Sequence, residues 1–430
     1  MDAIFPRKLY PILKEEINNR NIVVITGSRQ VGKTTILKAL EADFKNEGKS
    51  TIFLDLDLVE NLEYFENLES FLNFLRLNGL NPNGEHIVFV DEFQHSPSSS
   101  KILKNLYDHF PNIKLYISGS SSLEIAFRMK ESLAGRKSGY HLHPLSFEEF
   151  LIFKEEQKFI KYLDNWKPGI NLAQSESDNF WNLLEEFMIF GGYPKVVLQK
   201  TRNGKIKEIK EIYDSYIKKD IKGFLNIDKI LSYNKLIELL AVNIGGLLNI
   251  NRLSSELSMP RESLERYLFL LEETFIVKSI RPFFGNKKKE IIKMPKLYFE
   301  DTGMRNFAIN NFNPLRLRED AGFILENYIM NEILKSNLLN FDLKFWRKKI
   351  GTEVDFILLR DTQTFPIESK YQNFTISDSI PAGLKSFIGE YPNKKAYVVN
   401  KNLSHIKNHE TGEVEFIPAY FFSRTDILKA

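Results

Sequence analysis

The run Gly27-Ser28-Arg29-Gln30-Val31-Gly32-Lys33-Thr34 fits the pattern G-x-x-x-x-G-K-[ST] in full. Glycines at both ends let the backbone wrap tightly and aim successive N–H groups at phosphate oxygens, and a helix starting behind the loop adds the positive end of its dipole. Lys33 would neutralise the β- and γ-phosphates and Thr34 would hold Mg²⁺, with Ser28, Arg29, Gln30, Val31 and Thr35 completing the cradle. The chemistry implied is binding of ATP with Mg²⁺. Farther along, Ile87-Val88-Phe89-Val90-Asp91-Glu92 is an apolar run ending in two acids. Asp91 would serve the Mg²⁺ and Glu92 would polarise an attacking water as general base. A third apolar run, Lys114 to Ile117, ends at Ser118-Gly119-Ser120-Ser121-Ser122. Ser118 there is either a γ-phosphate sensor or an ordinary turn former.

These residues need a scaffold that gathers strand ends. Ile22-Val23-Val24-Ile25 and Thr51 to Leu56 read as further strands, and Thr35–Phe44, Leu68–Asn78 and Lys101–Phe110 as helices between them. Alternation of this kind predicts an α/β fold, a parallel sheet with helices on both faces, over residues 1–150.

A second constellation lies near the other end of the chain. Glu353 to Leu359 and Phe365 to Lys370 read as two strands around a turn at Arg360–Thr364, giving Asp355 and Glu368-x-Lys370 in the spacing D-x₁₂-E-x-K. Period-two alternation puts Glu368 and Lys370 on one face, with Gln372 two residues further along it. Glu326, on an upstream helix, would complete the set, and Arg347-Lys348-Lys349 would suit either a phosphate backbone or solvent.

Taken in order, G-x-R-Q-V-G-K-T, V-D-E, S-G-S-S, Ala134-Gly135-Arg136 and the L-x-P-L-S-F-x-E-F of Leu142 to Phe150 resemble the AAA-type ATPases of the AAA_14/DUF4143 kind. Gly191-Gly192-Tyr193-Pro194, Asp301-Thr302-Gly303 and E-V-D-F at Glu353 continue the resemblance over most of the chain. It implies an ASCE-type P-loop ATPase in which Arg136 is an arginine finger or phosphate sensor, acting within or between subunits. The residues alone equally allow a loop arginine paired with Glu131. The D…E-x-K pattern is similar to the PD-(D/E)xK restriction-endonuclease-like core. That likeness implies that Asp355 and Glu368 bind Mg²⁺, that Lys370 positions the nucleophile or stabilises charge, and that Glu326 completes the metal shell. Such a fold occurs with and without nuclease activity.

Between the two ends, residues 151–228 read as an aromatic-rich helical lid, interrupted at Gly191-Gly192-Tyr193-Pro194 by a structural turn. Residues 229–310 read as a winged helix: helices at Lys235–Ile244, Asn251–Leu257 and Arg261–Glu273, then strands Phe275–Ile280 and Glu290–Phe299 around a wing tip at Gly285-Asn286-Lys287-Lys288-Lys289. Arg261, Ser263, Glu265 and Arg266 form the exposed face of its third helix, suited to double-stranded DNA or to protein contact. The wing lysines suit phosphates or simple solubility. Residues 311–430 hold the nuclease-like segment.

Zero cysteines exclude disulfides, thiolate metal sites and a cysteine nucleophile, and are compatible with a reducing compartment. No signal pattern or long apolar run is present, so the expectation is a cytoplasmic protein without a membrane partner. A net charge of +3 over 430 residues gives no whole-molecule attraction for nucleic acid, so any such binding must be local. The expected function is Mg²⁺-dependent ATP hydrolysis coupled to DNA binding or processing, or else a nucleotide switch with a protein partner and an inactive nuclease-like domain. Assembly into an oligomer stays open.

Overall fold

Ile22–Thr26 is dominated by β-branched residues, and its first four are buried, as an interior strand of a parallel sheet requires. It is β1 of a five-stranded sheet whose other members are β2 (Thr51–Asp55), β3 (His86–Asp91), β4 (Ile113–Ser118) and β5 (Lys137–His141). The strand order is β2-β3-β4-β1-β5, and every neighbouring pair is parallel. The computed structural model describes residues 5–119, 133–217, 227–285, 287–336, 338, 340–349, 351–360, 363–392, 395–409 and 412–428. Helices Lys33–Asn46, Leu68–Leu77 and Ser99–His109 join the strands. The insertion of β4 between the phosphate-loop strand and the acidic strand β3 is the ASCE arrangement. Strand β5 was not visible in the sequence: Lys-Ser-Gly-Tyr-His has poor strand propensity, and the segment is recruited by parallel pairing with β1 from Ile22↔Lys137 to Thr26↔His141.

The chain divides into two compact units. One is Met1–Pro144 with Asp214–Phe224 and Phe269–Phe275; the other is Leu145–Tyr213 with Leu225–Leu268 and Ile276–Ala430. The segment read as a lid therefore falls, through Tyr213, in the second unit. Its aromatic helix Gln174–Phe190 finds its apolar partners there: Phe180 stacks on Tyr420 with centroids 4.5 Å apart, and Phe187 meets Tyr328 edge-on.

The second unit is built on an eight-stranded sheet: β6 (Val277–Pro282), β7 (Lys296–Phe299), β8 (Phe341–Lys349), β9 (Thr352–Arg360), β10 (Gln363–Ser369), β11 (Lys395–Asn400), β12 (His405–His409) and β13 (Gly412–Pro418). Their order is β12-β13-β11-β10-β9-β8-β6-β7. The expected hairpin around Arg360–Thr364 is β9 and β10, antiparallel from Gln363↔Arg360 to Ile367↔Phe356. β6 and β7 also pair antiparallel, yet they extend this same sheet through Arg281↔Lys344 and Pro282↔Phe345.

Helices Ile227–Val242, Ile250–Glu256 and Arg261–Glu273 precede β6. The lysines read as a wing tip do not form one. Asn286 lies outside the described residues, and Lys287–Ile292 is a short helix, so the second strand starts at Lys296 rather than Glu290. Glu290 anchors that helix: it accepts from the Phe284 N–H at 3.1 Å and from Lys344 at 2.5 Å, with both ionised groups buried.

Two short motifs far apart in sequence prove to be halves of one joint. Asp301 accepts from the Gly192 N–H at 2.7 Å and the Met304 N–H at 3.0 Å. Gly191, at φ +78°, leaves no room for a side chain: a Cβ there would lie 2.1 Å from the Asp301 carboxylate. The turn at Gly191–Pro194 is thus shaped to receive Asp301, whose buried carboxyl is pushed upward in pKa by desolvation, an effect opposed by these N–H donors.

Candidate nucleotide and carboxylate sites

The phosphate loop leaves β1 and enters helix Lys33–Asn46 through Gly32, which is left-handed at φ +102° and offers no side-chain cap. Gln30 is also left-handed, at φ +63°. Gly27 must be glycine because a Cβ would come 2.3 Å from the Leu142 carbonyl. The loop curls around the buried Lys33 ammonium, which donates to the carbonyls of Gly27 at 2.9 Å and Ser28 at 3.0 Å. Ser28 and Val31 are buried, Arg29 and Thr34 half-buried and Thr35 exposed.

At the same end of the sheet, Asp91 is 1% exposed. It accepts from the hydroxyls of Ser118 and Thr34; burial raises its pKa and these donors oppose the rise. Glu92 follows in left-handed geometry at φ 51° and ψ 44°, a conformation costing about 1–3 kcal/mol for a non-glycine residue. It is braced by its own N–H on Asp91 Oδ1 at 3.2 Å and by Gln94, whose amide donates to its carboxylate. Lys33, Thr34, Asp91, Glu92 and Ser118 are therefore gathered at the carboxyl ends of β1, β3 and β4, where parallel sheets present ligands to loops. A Thr hydroxyl touching a carboxylate is an all-oxygen donor set, which fits Mg²⁺. The loop, with N–H groups at an uncapped helix start, fits a polyphosphate.

Arg136 is not brought to this group within the chain. Its carbonyl accepts from Ile22 N–H at 2.9 Å, at the start of β1, so the length of that strand, ~13 Å, separates it from the loop. Its guanidinium holds Asp108 in two bonds of 2.8 and 3.2 Å. Glu131, the partner considered from sequence, lies outside the described residues, as do Ser120 to Ser122. Sequence reasoning missed Gln94 and Arg7. Arg7 clamps the loop from outside, donating to Val31 O at 2.8 Å and His143 O at 2.7 Å; its isolated position in the sequence gives no signal.

In the second unit, β9, β10, β7 and helix Ala321–Leu334 bring Asp355, Glu368, Lys370 and Glu326 together with Glu353, Lys296 and Tyr298. Asp355 Oδ2 accepts from Ser369 N at 2.7 Å and Ser369 Oγ at 2.8 Å, and Lys370 Nζ meets Glu368 Oε1 at 2.5 Å. The Asp355 N–H reaches Glu368 Oε2 at 3.4 Å. Desolvation, then the nearby Asp355 charge, pushes Glu368 up to about 8 against the opposing pull of Lys370. Burial likewise lifts Glu326 to about 7, opposed by Lys296. The donor set is again oxygen-rich and suits a hard divalent cation.

Gln372 sits beyond the end of β10, its N–H bonded to Lys370 O at 2.7 Å, so strand alternation no longer carries it toward the carboxylates. Arg347 lies 3.6 Å from Glu353, whereas the exposed Lys348 pairs with Glu390. On the helix Arg261–Glu273, Arg261 is bonded to Glu265 at 2.8 Å. Lys296 and Tyr298 were missed, although a lysine opening the apolar run Lys296-Leu297-Tyr298-Phe299 is a signal of an internal ion pair.

Family models match three stretches: an AAA domain at residues 19–151, a domain of unknown function (DUF8612) at 182–315 and a domain of unknown function (DUF4143) at 321–422. An uncharacterized protein of Methanocaldococcus jannaschii is 28% identical over 348 residues, covering 80% of this chain and 73% of the relative. One from Haemophilus influenzae is 24% identical, covering 82% of each. Among solved structures, AMPPCP-bound DnaA from Aquifex aeolicus matches at TM-score 0.27 and 17% identity, over 62% of this chain and 78% of that one, too loose a likeness to place any residue. No described helix is long and apolar enough to cross a membrane. The chain thus joins an AAA domain at residues 19–151, whose phosphate loop and parallel sheet are those of a P-loop fold, to a DUF4143 domain at residues 321–422.

Proposed function

We propose that the protein hydrolyses ATP with Mg²⁺ and couples its nucleotide state to binding or processing of DNA through the second unit. The observation that carries the ATPase reading is the bonded chain Thr34–Asp91–Ser118 beside Lys33 and Glu92 at one end of the sheet. Lys33 and the loop amides would bind the β- and γ-phosphates; Thr34 and Asp91 would hold the Mg²⁺, which supplies charge neutralisation when bound. Glu92 would take a proton from the attacking water as its oxygen bonds to the γ-phosphorus and the bond to ADP breaks. Ser118, through Asp91, would register whether the γ-phosphate is present.

Support for the DNA arm comes from Asp355, Glu368 and Lys370 on adjoining strands, a set able to bind a divalent cation beside a phosphodiester. The helices Ile250–Glu256 and Arg261–Glu273, read as a winged helix, and an oligomer in which Arg136 serves a neighbour's site belong to the same proposal. A second reading, a nucleotide switch with a protein partner and an inactive nuclease-like domain, is favoured by the ion pairs that already engage both lysines of the carboxylate cluster. Phosphate release with and without duplex DNA, together with plasmid nicking in Mg²⁺ or Mn²⁺, separates the two when run on Lys33→Ala and on Asp355→Ala with Lys370→Ala. DNA-stimulated hydrolysis lost in the first variant and nicking lost in the second support the DNA reading; intact plasmid and unstimulated hydrolysis favour the switch.

A further inference from the structure

The carboxylate cluster contains a cation of its own. Lys296 opens β7, and its ammonium lies 2.9 Å from Glu326 Oε1 while also pairing with Glu353. Its side chain is 4% exposed and that of Glu326 7%, against 27% for Glu353 and 38% for Lys370, so the cluster is closed at the Lys296 end and open at the Lys370 end. The main chain around Lys296 is fixed on two sides. β6 pairs with it at Ile280↔Lys296, and the loop after helix Ile227–Val242 clamps it through a Leu247 bridge, with Gly245 N–H on Leu297 O at 3.0 Å and Leu248 N–H on Pro295 O at 2.8 Å.

Glu326 is enclosed in the same way. Its Oε1 accepts from Tyr298 at 2.5 Å as well as from Lys296, so a metal ion taking that oxygen would have to displace two donors. Its Oε2 faces Gly245, where even a Cβ would sit 3.4 Å away, on a backbone at φ +71° that favours glycine. Charge tells the same story. Lys296 is bonded to both Glu326 and Glu353, and Arg347 lies 3.6 Å from Glu353, so cationic charge already faces these two carboxylates. A second divalent cation beside Lys296 would meet like charge at close range in a desolvated place.

We propose that Lys296 is the fixed counter-ion of this cluster: its ammonium holds the ground between Glu326 and Glu353, restricting the unit to one divalent cation, taken by Asp355 and Glu368 beside Lys370. The inference rests on the metal-dependent reading of the second unit and removes Glu326 from the metal shell. Lys296 then acts as a positioning residue, and its clamp ties the carboxylates to the loop that follows helix Ile227–Val242.

Mn²⁺ counted by electron paramagnetic resonance on the nucleotide-free full chain tests this, with Thr34→Ala throughout to suppress the N-terminal site. One Mn²⁺ per chain is expected, weakened about 10- to 100-fold by Asp355→Asn. Lys296→Met should admit a second ion, and Lys296→Arg should restore the count to one. Two ions in the parent protein, or an unchanged count in Lys296→Met, overturns the counter-ion role while leaving a metal site standing. Absence of any Mn²⁺ that Asp355→Asn removes sinks the metal-dependent reading and this inference with it. Should Lys296→Met fail to fold, Glu326→Gln decides: one ion retained with Kd within about threefold supports the proposal, and a loss beyond about tenfold, the size expected on disturbing a metal shell, contradicts it.

Discussion

Both candidate sites contain a buried or half-buried lysine near carboxylates, but they use it differently. At the phosphate loop the Lys33 ammonium is held by two neutral main-chain carbonyls, 2.9 and 3.0 Å away, inside a loop whose shape is set by left-handed backbone. In the carboxylate cluster Lys296 and Lys370 are each bonded to a carboxylate. An incoming phosphate group meets a preformed amide cradle at the first site and a network of mutually balanced charges at the second. The first is therefore expected to depend on the presence of single groups, and the second on the protonation and pairing of several at once.

Breaking the first site gives the largest expected effect. Lys33→Ala should lower ATP hydrolysis by about 10²- to 10³-fold, the cost of removing a charge stabiliser of the transition state, while Mn²⁺ binding at the cluster is unaltered. If cluster binding falls as well, the two sites are not separate in the way described. Glu92→Gln comes next: about 10²-fold slower phosphate release, with ATP affinity by equilibrium titration within about threefold, because only the proton acceptor is lost.

Sequence legibility followed the same division. The loop from Gly27 to Thr34, Asp91 and Glu92 are read from contiguous stretches, because backbone geometry and a strand end are local properties. Asp355 and Glu368-x-Lys370 are local to one hairpin and were also visible. Lys296 was not, since its role depends on which sheet β7 joins. Gly191–Pro194 and Asp301–Gly303 were each visible as motifs, but their union spans more than a hundred residues and rests on a hydrogen bond that no spacing rule encodes. Arg136, placed at the nucleotide site only by resemblance, lies at the other end of β1 in space, because strand β5, which fixes its position, had no sequence signature. The short helix Lys287–Ile292 replaced an expected hairpin tip because Glu290 anchors it to Lys344 and Phe284, a pairing invisible to composition.

The Asp301 joint offers a control that belongs to neither site. Asp301→Ala leaves the buried N–H groups of Gly192 and Met304 without their carboxylate, so unfolding free energy should drop by about 2–4 kcal/mol in urea titrations. ATP affinity of the folded fraction should not change; a selective loss of affinity would mean that the joint serves the nucleotide site directly.

The smallest effect expected is a slope. With folded values near 7 for Glu326 and near 8 for Glu368, against 4.5 for an ordinary glutamate, the native cluster binds more protons than the unfolded chain between those limits. Its contribution to stability is complete below about 4.5 and is lost as pH rises through about 7 to 8. In a chelating buffer, stability should decline from pH 5 to pH 8, and Glu368→Gln should flatten that decline. An unchanged slope in the variant would show that Lys370 fully compensates the Glu368 charge in the folded state.

Phosphate release from the full chain with Mg²⁺ and ATP, wild type beside Glu92→Gln, decides whether one end of the first sheet is an ATP-hydrolysing site worked by Glu92. Steady release by the wild type and an ATP-bound but nearly inactive variant are the expected results. Equal rates in the two proteins would contradict that role of Glu92.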